Sequence, residues 1–112
     1  MKKIIIIIPV YNDWKSLKKL LQDIDEIIVN IEDTKFSGIV INDASTITSN
    51  EITKPKNFTF LKIIELKDNQ GHARCNALGL RYVSENENFD HIILMDGDGE
   101  DRPVEIKDLI EK

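Results

Sequence analysis

Asp96-Gly97-Asp98-Gly99-Glu100 sets three carboxylates at alternate positions directly after an apolar run, His91-Ile92-Ile93-Leu94-Met95. Alternate carboxylates just past a strand can direct their oxygens into one pocket. Hard oxygen donors of this kind suit Mg²⁺ or Mn²⁺, which bind substrate phosphates. Two carboxylates about 4 Å apart repel by roughly 4 kcal/mol at an effective dielectric near 20. Such a group stays together around a cation, or stays apart in solvent. The intervening glycines let a bulky ligand approach the backbone. The same residues also suit an acidic turn that caps a following helix, where negative charge is favoured.

Three other polar clusters could do chemistry. Pro9-Val10-Tyr11-Asn12-Asp13 offers an aromatic ring that could stack on a base. Asn42-Asp43-Ala44-Ser45-Thr46 offers a carboxylate that could accept hydrogen bonds from a nucleobase or ribose. Each also has a plainer role, Tyr11 as a half-buried aromatic and Asp43 as a turn residue capping a helix. Lys67-Asp68-Asn69-Gln70-Gly71-His72 leads into a helical pattern whose N–H groups would suit phosphate, with Arg74 one turn in. The plainer reading is a capped helix start with a solvated arginine. His72 and His91 lack metal-ligand spacing, and nothing in the sequence activates Cys75.

The elements that must hold these clusters alternate. Ile4 to Ile8 is a short β-branched run, read as a strand buried on both faces. Leu17, Leu20, Leu21, Ile24, Ile27, Ile28 and Ile31 recur at helical steps, with Asn12, Asp13 or Ser16 as the cap. Gly38 introduces a second strand, Ile39-Val40-Ile41. Thr46 to Thr53 is weakly patterned and read as a short helix, and Phe58 to Leu66 as a third strand. Gly71 to Ser84 reads as a helix with Ala73, Ala77, Leu80 and Val83 along one side. His91 to Met95 is the fourth strand, and Pro103 opens a last helix carrying Val104, Ile106, Leu109 and Ile110. Strands alternating with helices predict an α/β fold with a mostly parallel sheet. In such sheets ligands bind beyond the carboxyl ends of the strands, where all four polar clusters fall.

The 112 residues fit one domain, 41% hydrophobic and 31% charged, and exclude a wholly disordered chain. Fifteen basic against twenty acidic residues give a net charge of −5 without a basic block. Nucleic acid and anionic membrane surfaces are therefore not expected as partners. The longest apolar run is far short of the roughly 20 residues that span a bilayer. No signal-peptide pattern opens the chain, and the single cysteine suits a reducing compartment. A cytoplasmic location is the expectation.

Together these clusters resemble the donor half of a family 2 glycosyltransferase with the GT-A fold. Residues 7–13, Ile-Ile-Pro-Val-Tyr-Asn-Asp, are similar to the family's opening strand and turn. Ile41-Asn42-Asp43-Ala44-Ser45-Thr46 resembles its V-D-D-G-S-T, with Asn and Ala in place of the first Asp and the Gly. Asn69-Gln70-Gly71-His72-Ala73-Arg74 with Gly79 resembles its N-x-G helix start. Met95 to Pro103 resembles the D-x-D-x-[Q/E]-x-x-P form of its metal motif, a form common among polyprenol-phosphate sugar transferases.

The resemblance implies a Rossmann-like, mostly parallel sheet with alternating helices. It also implies a nucleotide-diphosphate sugar, UDP- or GDP-linked, as donor. Pro9, Tyr11, Asp13 and Asp43 would surround the nucleobase and ribose. Asn69, Gly71, His72 and Arg74 would line the donor pocket. Asp96 would face the ribose and the metal, with Asp98 and Glu100 holding Mg²⁺ or Mn²⁺ on the diphosphate. The acceptor implied is a lipid phosphate such as polyprenol phosphate, or a saccharide, and the parent would work at the cytoplasmic face of a membrane. Family domains run to roughly twice this length, so residues 1–112 are expected to be one donor-binding domain ending before the acceptor half. Apolar surface left by that half predicts self-association.

Other readings share the size and fold class. A non-catalytic phosphoreceiver-type module would want its acidic pair after the first strand, where only Asp13 stands. A sugar-nucleotide pyrophosphorylase relative would want a Gly-rich turn there. An aspartyl-phosphate phosphohydrolase would place Asp-x-Asp after the first strand, not the fourth.

Overall fold

β-Branched runs too short for helices, each followed by a polar exit, become the strands of a single sheet in the computed structural model. The structure describes residues 1–47 and 52–95. Six elements follow one another: β1 (Lys2–Val10), α1 (Trp14–Ile28), β2 (Thr34–Asn42), β3 (Phe58–Glu65), α2 (His72–Asn86) and β4 (His91–Leu94). The strands lie in the order β3-β2-β1-β4, all parallel. The α/β reading thus stands. The expected helix at 46–53 lies partly outside the described residues, and 46–47 and 52–53 are not helical. The helix from Pro103 lies wholly outside them.

The strand order decides between fold types. In a flavodoxin-like or receiver-type sheet the first strand sits between the second and third. Here β1 sits between β2 and β4, the 3-2-1-4 order of a dinucleotide-binding half. Successive connections run one way as far as β3 and then jump back across β1. The reversal falls between β1 and β4, and a crevice at their carboxyl ends is where such sheets bind ligands.

Two clusters clothe the sheet. Ile4, Ile6, Ile8 and Val10 point to one face and meet Trp14, Leu17, Leu20, Leu21, Ile24 and Ile28 of α1. Asp13 caps that helix, its Oδ1 accepting from the Ser16 N–H at 3.3 Å. On the other face Ile5, Ile7, Ile39 and Ile41 meet Cys75 and Val83 of α2.

Two sequence expectations need correction. Gly38 lies inside β2, not at its start. A Cβ there would come within 2.7 Å of Leu61 Cδ1, so the glycine serves close approach to β3. The buried stripe of α2 is Cys75, Gly79 and Val83, while Ala73, Ala77 and Leu80 face outward. The reason is Gly79, where a Cβ would meet Ile7 Cγ2 at 2.7 Å, so the helix seats its backbone directly on β1.

Candidate functional site at the carboxyl edge of the sheet

β1 delivers buried Pro9 and Val10 to the edge and then exposes Tyr11 and Asp13. Between them Asn12 adopts φ 64°, a left-handed conformation that asparagine tolerates better than most residues. From there its Oδ1 accepts the N–H groups of Thr46 at 2.8 Å and Ile47 at 2.9 Å. Its own N–H donates to Ser45 Oγ at 2.8 Å. The indole N–H of Trp14 adds a bond to the Ile47 carbonyl at 2.8 Å. The exits of β1 and β2 are thus laced into one surface.

Asp43 joins that surface to α2. It is only 1% exposed. Its N–H donates to the Val10 carbonyl at 2.8 Å. Its carboxylate accepts from the Gln70 N–H at 2.6 Å and the Gly71 N–H at 2.9 Å, and its carbonyl accepts from Asn69 Nδ2 at 3.2 Å. Gly71 holds φ 86°, so the turn into α2 needs glycine. The Gln70 and Gly71 N–H groups, which the sequence offered to a phosphate, are therefore engaged by an internal carboxylate. Beneath them lies Cys75, whose thiol is pushed up to about 11 by burial and by its hydrogen bond to Asp43.

The two departures from the family pattern in the β2 exit have physical correlates. Asn42 Nδ2 donates to the Glu65 carboxylate, and its Oδ1 accepts from the Ser45 N–H at 3.1 Å. An aspartate there would set two carboxylates against each other, whereas the amide supplies a donor and an acceptor. Ala44 stands at φ 58°, where glycine would be unstrained.

Pro9, Tyr11, Asp13, Asp43, Asn69, Gly71, His72 and Arg74 all sit at the exits of β1 and β2 or the start of α2. Asp43 touches Asn69 and Gly71 directly, whereas Asp13 turns to its own helix. Asp96, Asp98 and Glu100 lie outside the described residues. Met95, just before them, donates its N–H to the Ile7 carbonyl at 3.0 Å, which keeps the chain against β1 as it leaves β4. Among the described residues no three His, Cys, Asp or Glu side chains are grouped to hold a metal. The alternating carboxylates at 96–100 have the hard-oxygen chemistry that Mg²⁺ or Mn²⁺ requires.

Sequence reasoning offered Asn12 only as a cap for α1, a place that Asp13 takes, and missed its bonds to the 45–47 turn and the Trp14–Ile47 bond. Asn12 carried a signal, an asparagine at a strand exit, where left-handed backbone is common. Asn76 was also missed: its Oδ1 is sealed from solvent with no hydrogen-bond partner among the described residues.

An open parallel sheet of this order, with the polar exits of β1 and β2 at its carboxyl edge, defines a Rossmann-like α/β domain. The model of the glycosyl transferase family 2 matches residues 5–112, and the chain belongs to that family. It is 26% identical over 111 residues to the uncharacterized protein MJ0544 of Methanocaldococcus jannaschii, a match covering 96% of this chain and 45% of that protein. The chain thus spans less than half the length of this curated relative. Among the described residues no helix is long and apolar enough to cross a membrane.

Proposed function

We propose that the chain binds the donor of a glycosyl transfer, a UDP- or GDP-linked sugar, for delivery to a lipid phosphate such as polyprenol phosphate or to a saccharide. The observation that supports this reading is the convergence of the β1 exit, the β2 exit and the α2 start at the carboxyl edge of the sheet, in a chain of this family. Exposed Tyr11 offers a ring face to the base, with Pro9 and Asp13 on either side of it. Asp43 underpins the pocket by fixing Gln70 and Gly71, and its remaining lone pairs are what it can offer a ribose or base donor. Asn69, Gly71, His72 and Arg74 form the wall along α2.

Asp96, Asp98 and Glu100 would hold Mg²⁺ or Mn²⁺. That ion supplies charge neutralisation at the diphosphate leaving group. The rest of the chain's contribution is positioning and fixed electrostatics. A lipid-phosphate acceptor is already ionised and needs little help from a base.

Calorimetry with UDP and with GDP, each with and without Mn²⁺, tests the reading. Saturable heat is expected for one nucleotide, lost with chelator and in Asp98→Asn. A cooperatively folded chain that takes up neither nucleotide with either metal overturns it.

A further inference from the structure

At the other end of the same strands, Lys3 of β1 and Lys35 of β2 are direct partners in the parallel register and share the α2 face of the sheet. Neighbouring strands lie about 4.8 Å apart, and like charges placed side by side across strands are destabilising. Among the described residues neither ammonium has an acidic partner. One step up the same face Ser37 stands beside Ile5. It is 5% exposed, and its hydroxyl makes no hydrogen bond among the described residues.

All three line one cleft of about 250 Å³, walled by Thr59, Phe60, Asn88 and Glu87, the last a carboxylate paired with Lys62. The cleft exists because β3 carries an extra residue where the β2–β3 register shifts between Phe36 and Gly38. The acidic groups nearby are already engaged. Glu87 is held by Lys62 at 2.5 Å, and the Asp90 carboxylate accepts from the Lys3 N–H at 2.7 Å.

We propose that Lys3, Lys35 and Ser37 form an anion site for a phosphate group, either free or at the end of a small phosphomonoester. Two ammonium groups match the near-dianionic charge of such a group at neutral pH, and the Ser37 hydroxyl gives one of its oxygens a directed donor. Occupancy converts a repelling lysine pair into a bridged one. Val10 lies seven steps along β1 from Lys3, about 23 Å at the usual strand rise. The site is thus remote from the donor pocket and independent of the function proposed above.

The test is an amide chemical-shift titration of the whole chain, at constant ionic strength, with inorganic phosphate in one arm and glycerol phosphate in the other. Saturable shifts at Lys3, Lys35 and Ser37 are expected. Lys35→Gln weakens binding about tenfold, and Ser37→Ala weakens it by a smaller factor. Tighter binding of the ester assigns the site to a small phosphorylated molecule; equal binding assigns it to free phosphate. In thermal melts phosphate raises the midpoint of the wild-type chain more than that of Lys35→Gln. Shifts that never saturate, or that Lys35→Gln leaves unchanged, overturn the proposal. Lys35 is exposed, so its replacement leaves the core intact.

Discussion

The two faces of the sheet carry helices of equal length, fifteen residues each, to opposite purposes. Against α1 the sheet buries long aliphatic chains from Ile4, Ile6, Ile8 and Val10, met by six buried side chains of the helix. Against α2 it meets a thiol, a glycine and a valine. The first face gains apolar area, the main favourable term in folding. The second gives up area for closeness, seating Gly79 on Ile7, and its register is fixed at the helix start by the Asp43 carboxylate. One helix anchors the sheet, and the other is aimed. A site on the aimed face can have its geometry altered without the fold being lost.

Leu17→Ala strikes the anchoring face at a fully buried position and has the largest expected effect, about 3–4 kcal/mol in a urea melt. Nucleotide affinity of the fraction that remains folded should be unchanged. Asp43→Ala strikes the aimed face. It leaves the Gln70 and Gly71 N–H groups without their acceptor, at about 2–3 kcal/mol, and releases the 69–71 turn. Here nucleotide binding is expected to fall in protein that calorimetry shows to be folded. If both variants lose stability and affinity in the same proportion, the division between the two faces is wrong.

Cys75 sharpens the contrast through pH. Its thiol is raised from 9.0 to about 11 by burial and by Asp43. The folded state therefore holds this proton more tightly than the unfolded chain. The resulting stability is fully present below pH 9 and is lost as pH rises through 11, where a thiolate would face a carboxylate. The loss is about 3 kcal/mol at most. Lysines and tyrosines titrate in the same range, so the measurement is the difference between wild type and Cys75→Ala. The wild-type chain should lose more stability between pH 8.5 and 11 on the order of that amount.

What was legible in the residues was whatever depends on local period and chain order. The isoleucine run at 4–8, the leucine stripe of α1 and the polar exits of β1, β2 and β3 each carry their signal within a few residues, and all of these appear where expected. What depends on partners distant in sequence was not legible. Asp43 looked like a cap for the helix after it, but its oxygens bind N–H groups 27 and 28 residues on. The stripe of α2 was misjudged because glycine scores as a weak helix former, while its lack of a Cβ is what lets the helix meet Ile7. Lys3 and Lys35 are unremarkable surface lysines until the register of β1 and β2 sets them side by side.

The smallest expected effect is also the most local. Ala44 follows Asp43 at φ 58°, and its N–H donates to the Asn42 carbonyl at 2.9 Å. A left-handed conformation crowds Cβ against the following carbonyl at about 1–2 kcal/mol, which glycine avoids. Glycine also loses more backbone freedom on folding, about 0.5–1 kcal/mol relative to alanine. The difference leaves Ala44→Gly stabilising by about 0.5 kcal/mol, readable as a small rise in denaturant midpoint with unchanged slope. The change touches neither apolar cluster, so it tests the strain at the β2 exit alone. A midpoint that falls would mean that the exit is held left-handed at no strain, with the Asn12–Ser45 lacing carrying the turn. Asn12→Ala would then lower the midpoint by more than the cap-like loss of about 1 kcal/mol expected otherwise.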